Sequence, residues 1–98
     1  MKNLTNRHPR EILEQEFLKP LSVTPYRLAK SVNIQQTAIS MVIKGKRSIT
    51  TDTAMRFSYY FGTTPEFWLN LQREHDLRIT KRSNKALFDS IVPFAIGA

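Results

Sequence analysis

Five side chains between Gln35 and Lys44 could do chemistry on one surface: Gln35, Gln36, Thr37, Ser40 and Met41. On a helix they share the face opposite Ile39 and Val42. A Gln side chain can bond an adenine edge bidentately. Thr and Ser hydroxyls can hydrogen-bond any base or touch a thymine methyl, and Met can contact methyl groups. Taken alone, a Gln-Gln pair is better explained by a solvated helix face. The residues around it decide otherwise. Lys44, Lys46, Arg47 and Ser48 follow in one short loop, and Tyr26 and Arg27 precede the face. These groups suit phosphate oxygens, which fix register and supply affinity without reading sequence. The pattern predicts base contacts from Gln35, Gln36, Thr37, Ser40 and Met41, and phosphate contacts from Tyr26, Arg27, Lys44, Lys46, Arg47 and Ser48.

Charge supports that placement. The 98 residues carry 15 Lys plus Arg against 8 Asp plus Glu, a formal charge of +7. Residues 27–56 hold +5 of it, residues 1–26 hold +1, 57–76 hold −2 and 77–98 hold +3. A concentrated excess fits a localised anion-binding face better than general solubility. The carboxylate clusters lie elsewhere, as Glu11, Glu14 and Glu16 near the start and Glu66, Glu74 and Asp76 later.

Other chemistries find little to use. With no cysteine there is no disulfide framework, thiolate metal site or Cys nucleophile, which fits a reducing, cytoplasmic compartment. No paired-His metal motif, glycine-rich phosphate loop or nucleophile elbow occurs, so neither catalysis nor a cofactor is expected. His8 reads as a packing or capping residue of the first helix, and Glu74-His75 as solvated helix surface. No run approaches ~18 apolar residues, and the start lacks a signal-peptide pattern, so no membrane role is expected.

The elements that must position these groups are helical. Three glycines and five prolines punctuate apolar residues that recur at helical spacing, and no internal repeat or low-complexity segment interrupts them. An all-α fold of five helices is predicted. The first starts behind His8 and Pro9, turns Ile12, Leu13 and Phe17 inward, and ends at Pro20. The second is capped by Thr24 with Pro25 in its first turn, buries Leu28, Ala29 and Val32, and stops at a left-handed Asn33. The third runs from about Gln35 to Ile43 and stops at Gly45. Thr50 caps the fourth, which ends at Gly62. Thr64 and Pro65 open the fifth, which carries Phe67, Trp68 and Leu71 inward and reaches Leu77 or beyond.

The span from about 25 to 44 is a helix-turn-helix pattern. Small Ala29 permits the closest crossing while Leu28, Val32, Ile34, Ile39 and Val42 fill the shared core. Residues 1–79 are therefore read as a DNA-binding domain. Residues 80–98, basic and then apolar, are read as a short C-terminal extension, helical and part of a dimer interface. One recognition helix reads only a few base pairs, so useful specificity calls for two half-sites ~34–36 Å apart and a two-fold dimer. Trp68, Leu71, Leu77, Leu87, Phe88 and Ile91 exceed what five short helices need, and they are the expected dimer interface. For Trp68, ordinary core is an equally good reading.

Several motifs carry a resemblance to a family. They are His8-Pro9-Arg10-Glu11-Ile12-Leu13 with Glu16-Phe17, then Tyr26-Arg27-Leu28-Ala29 and Gly45-Lys46-Arg47-Ser48-Ile49-Thr50. The most specific is Thr64-Pro65-Glu66-Phe67-Trp68-Leu69-Asn70-Leu71-Gln72 with Asp76-Leu77. Over about residues 8–78 the chain resembles the HigA antitoxins, within the Xre or Cro/C1 helix-turn-helix superfamily. Arg10 stands where that family usually has glycine, and nothing after Arg78 matches. The resemblance implies a lambda-repressor-like domain, a homodimer that binds a palindromic operator and represses its own module, and capture of a small basic toxin of the RelE-like ribonuclease class. The tail is not acidic, so the first helix, through Glu11 and Glu14, is the expected toxin contact. Carboxylates early in a helix also complement its dipole and need no partner. The alternative reading is a stand-alone Xre-family repressor without a toxin; a purely protein-binding adaptor would show no salt-sensitive DNA binding.

Overall fold

The computed structural model describes residues 7–95; residues 1–6 and 96–98 lie outside that description. Five helices follow the predicted order. α1 spans Pro9–Ile12 and continues as a π-helical turn over Leu13–Leu18; α2 is Pro25–Val32, α3 Gln36–Ile43, α4 Thr51–Phe61 and α5 Pro65–Ser83. A sixth, α6, covers Lys85–Asp89 inside the extension. The fold is all-α, and the described residues form no strand.

Local sequence explains each start and stop. The hydroxyls of Thr24, Thr50 and Thr64 accept the N–H groups of Arg27, Thr53 and Phe67 at 3.1, 3.3 and 3.1 Å. Each bond satisfies one of the donors a helix N-terminus leaves open. His8 caps α1: its Nδ1 accepts the Arg10 N–H at 3.0 Å while the Glu11 carboxylate accepts the His8 N–H at 3.3 Å, a reciprocal capping box. Asn33 and Gly62 end α2 and α4 with φ of 59° and 75°, the left-handed conformation that closes a helix tightly.

The core gathers one face from each of the first five helices. Ile12, Leu13, Leu28, Ile39, Phe57 and Trp68 have no exposed surface. Trp68 is its aromatic centre, with Phe17, Phe67, Phe57 and Phe61 ring centroids at 4.9, 5.0, 5.3 and 5.8 Å. Its indole N–H donates to the Thr63 hydroxyl at 2.7 Å, so the one polar atom of the ring is satisfied. This corrects the expectation that Trp68 and Leu71 form an intermolecular face. Both are buried in the chain's own core, because α4 and the first helix already surround that side of α5.

Beyond that point the chain leaves the core. α5 continues past residue 79 to Ser83, so the basic stretch after Arg78 begins as helix. From Leu77 to residue 95 every described residue is exposed except half-buried Arg78. Leu77, Leu87, Phe88 and Ile91 show 54, 62, 43 and 63% of their surface. The radius of gyration, 16.8 Å, exceeds the ~13 Å of a compact chain of this length. The end of α5 and α6 form an arm that projects from the globule.

Candidate nucleic-acid interface

The turn between α2 and α3 is held by its own backbone. The N–H groups of Asn33 and Ile34 reach back to the carbonyls of Lys30 and Ala29 at 3.3 and 3.0 Å. That bonding requires the left-handed Asn33 and sends the chain sharply into α3. Ala29 is buried where the two helices cross, and Ile39 and Val42 turn inward beside Leu28 and Val32. With those positions taken, Gln35, Gln36, Thr37 and Met41 are left exposed and Ser40 half-buried at the edge of the same face. Gln35 also borders an open groove with Arg47, Ser48, Thr50, Thr53 and Arg56, which brings the start of α3 beside the loop that follows it. Tyr26 and Arg27 are exposed in the first turn of α2, and the Lys30 ammonium stands 5.5 Å from the Tyr26 ring centroid.

The loop from Lys44 to Ser48 is short, cationic and fastened at both ends. At its start the N–H groups of Gly45 and Lys46 bond the carbonyls of Val42 and Met41 at 3.0 and 2.9 Å. Gly45 has φ +75°, and a Cβ there would lie 2.8 Å from Arg10 Cδ and 3.2 Å from His8 Nε2. The loop backbone thus lies against the N-terminus of α1, which leaves Lys44, Lys46, Arg47 and Ser48 exposed. At its far end Ile49 is buried, and its N–H donates to Gln72 Oε1 at 2.9 Å. Gln72, buried on α5, donates in turn to Asp76 Oδ1 at 2.9 Å.

Three residues that fasten this surface were missed in the sequence. Gln72 had a legible signal, being a polar residue at a buried helical position beside Trp68 and Leu71. Arg56 had none: it bonds two backbone carbonyls more than twenty residues away. His75, read as solvated, is half-buried with its ring 4.2 Å from that of His8. Burial at this contact lowers the His8 pKa, the His75 and Arg10 charges lower it further, and Glu11 and Asp76 oppose them.

The acidic face of α1 is partly spoken for. Glu11 is half-buried in the capping box, Glu14 is half-buried, and exposed Glu16 pairs with Arg7 at 3.2 Å. Among the described residues no group of three or more His, Cys, Asp or Glu could hold a metal ion. None of the described helices is long and apolar enough to cross a membrane.

Known proteins share both the pattern and the shape. A helix-turn-helix family model matches residues 15–68. The chain is 35% identical over 91 residues to virulence-associated protein I of Dichelobacter nodosus, covering 93% of this chain and 83% of that protein. It superposes on Pseudomonas aeruginosa antitoxin HigA with the higBA promoter at a TM-score of 0.86, with 33% identity over 91% of this chain and 98% of that one. An addiction module antidote protein of the HigA family from Coxiella burnetii superposes at a TM-score of 0.82, with 38% identity over 90% of this chain and 97% of that one. On the match to the helix-turn-helix model and these likenesses along nearly its whole length, the chain belongs to the Xre-type helix-turn-helix family, in its HigA antitoxin branch.

Proposed function

We propose that the chain is a DNA-binding autorepressor and antitoxin that reads a palindromic operator as a dimer. The observation that carries this is the exposed α3 face of Gln35, Gln36, Thr37 and Met41 beside a cationic loop fastened at both ends. Base-reading groups and phosphate-binding groups are there supplied by one rigid unit. The P. aeruginosa relative solved with promoter DNA supports a DNA-binding role for this fold. Residues 1–79 carry the DNA-binding unit. The described arm, which runs from Leu77 into the extension of residues 80–98, makes the two-fold contact with Leu77, Leu87, Phe88 and Ile91 and without Trp68 and Leu71. No catalytic role is proposed for any residue.

The second half of the reading is neutralisation of a small basic ribonuclease of the RelE-like class, docked on α1 through Glu11 and Glu14. A carboxylate pair on one face would steer a cationic partner. Because Glu11 also serves the cap, the clean test there is Glu14→Lys with Glu11→Gln, which preserves the N-terminal bond. Unchanged affinity for the toxin would remove α1 from the interface.

The deciding experiment is anisotropy titration of labelled duplexes from the region upstream of the chain's own reading frame, with single base-pair variants of the bound segment. Gln36→Ala is expected to change the ranking of those variants. Lys46→Ala and Arg47→Ala are expected to weaken binding to all of them alike. A ranking left intact by Gln36→Ala would refute the docking of α3. If the adjacent frame encodes no co-purifying basic protein, the plain repressor stands in place of the antitoxin.

A further inference from the structure

Arg56 lies on α4, across the groove from Gln35, and two of its guanidinium nitrogens are engaged at the turn that aims α3. Its Nη1 donates to the carbonyls of Val32 and Asn33 at 3.0 and 2.8 Å. Its Nε donates to Asp52 Oδ2 at 2.9 Å, one turn earlier on the same helix. Val32 is the last residue of α2 and Asn33 is the left-handed residue after it. The N–H groups of Asn33 and Ile34 are already bonded to carbonyls of α2, so Arg56 meets the turn through its carbonyls. A cation at a helix C-terminus is also favoured by the helix dipole. Asp52, in the first turn of α4, complements the dipole of its own helix and holds the guanidinium plane in place. Lys could supply the charge but not the forked geometry that spans two carbonyls and a carboxylate.

We propose that Arg56, oriented by Asp52, is a positioning residue for sequence reading: it locks the α2–α3 turn to α4 and so fixes the angle at which α3 meets a DNA groove. This rests on the DNA-binding reading above. The lock acts on discrimination more than on affinity. Phosphate contacts from flexible Lys and Arg side chains tolerate a small tilt of α3, whereas bidentate bonds to base edges do not.

Asp52→Asn separates charge from orientation, because the first acts on affinity for all duplexes and the second on the ratio between them. Removing an exposed carboxylate beside a cationic surface raises affinity for every duplex if charge alone matters. If Asp52 orients Arg56, preference for the right sequence falls as well. The probes are a duplex selected by the wild-type chain from a randomised pool and a shuffled duplex of equal composition. Measurements on both cover the affinity ratio, its salt dependence and thermal melting by circular dichroism.

Asp52→Asn and Arg56→Lys are each expected to lower the selected-to-shuffled ratio about five- to tenfold, the loss of roughly one good base contact. Shuffled-duplex affinity should stay near wild type in Arg56→Lys and rise modestly in Asp52→Asn, which removes a negative charge, with the salt slope of each near wild type. Ratios unchanged in folded Asp52→Asn protein would overturn the proposal even if Arg56→Lys failed to fold. So would an Arg56→Gln variant whose salt slope drops while its ratio is kept, which would make Arg56 a phosphate contact. A wild-type chain that selects no sequence from the pool would overturn the DNA reading, and this inference with it.

Discussion

Single residues set the conformation of the cationic loop, and two of them give separable predictions. Gly45 and Gly62 share φ +75°, but only Gly45 has neighbours where a Cβ would go. Ala at either site bears the left-handed penalty of ~1 kcal/mol or somewhat more. Gly45→Ala must also displace the Arg10 side chain and crowd His8, so it should be the more destabilising of the two in urea unfolding, and only it should weaken DNA binding. Equal losses from both would mean that the contact with α1 contributes nothing. His8 predicts a pH dependence. Its Nδ1 must be unprotonated to accept the Arg10 N–H, and its pKa in the fold is lowered by burial and by His75. In the unfolded chain it takes up a proton near the ordinary value of 6.5. As pH falls through that value toward the lower folded one, the unfolded state binds more protons and stability is lost. His8→Asn keeps a capping oxygen without titrating, so its urea midpoint should fall less than that of wild type between pH 7.5 and pH 5. Parallel decreases would remove His8 as the source.

At the scale of elements, the helices were legible wherever one residue type has one backbone use. Thr24, Thr50 and Thr64 as caps, Pro25 and Pro65 in first turns, and Asn33 and Gly62 as stops each act within a few residues of themselves. The outer face of α3 was legible for the same reason, since Ile39 and Val42 leave only one side free. What escaped is what depends on elements meeting in space. Trp68 carries the same spacing whether it faces a partner or its own core, and only the arrival of Phe17 from α1 and Phe57 from α4 settles it. Arg56 and His75 are ordinary surface residues until the turn carbonyls and His8 come to them. Gln72 lies between the two cases, and its bond joins two elements into one. Gln72→Leu would fit the same space but leave the buried Ile49 N–H without an acceptor, at a cost of about 1–3 kcal/mol. Unfolding in urea measures that loss. A variant as stable as wild type would mean that Ile49 finds another partner and that α5 does not fasten the loop.

The whole molecule joins a compact head, which carries most of the positive charge, to an arm that exposes its largest apolar side chains. A chain that bound DNA singly would have little use for Leu87, Phe88 and Ile91 in water, where burying such a side chain is worth about 1.5–3 kcal/mol. Two copies joined through their arms would cover those residues and present two α3 faces to one duplex. Salt dependence can count the copies. Each phosphate neutralised on duplex DNA contributes about 0.9 to the slope of log affinity against log salt. If Lys46 meets one phosphate, Lys46→Ala lowers the slope by roughly 0.9 for a single bound copy and roughly 1.8 for two. The dimer predicts the larger figure. In the Leu87→Asp, Phe88→Asp double variant, which puts carboxylates on the arm and leaves the head untouched, the same substitution should then lower the slope by only the smaller one. Light scattering on that variant should give a monomer with wild-type helicity. A drop of about 0.9 in the otherwise wild-type chain would show that one copy reads the DNA alone, and that the arm serves something else.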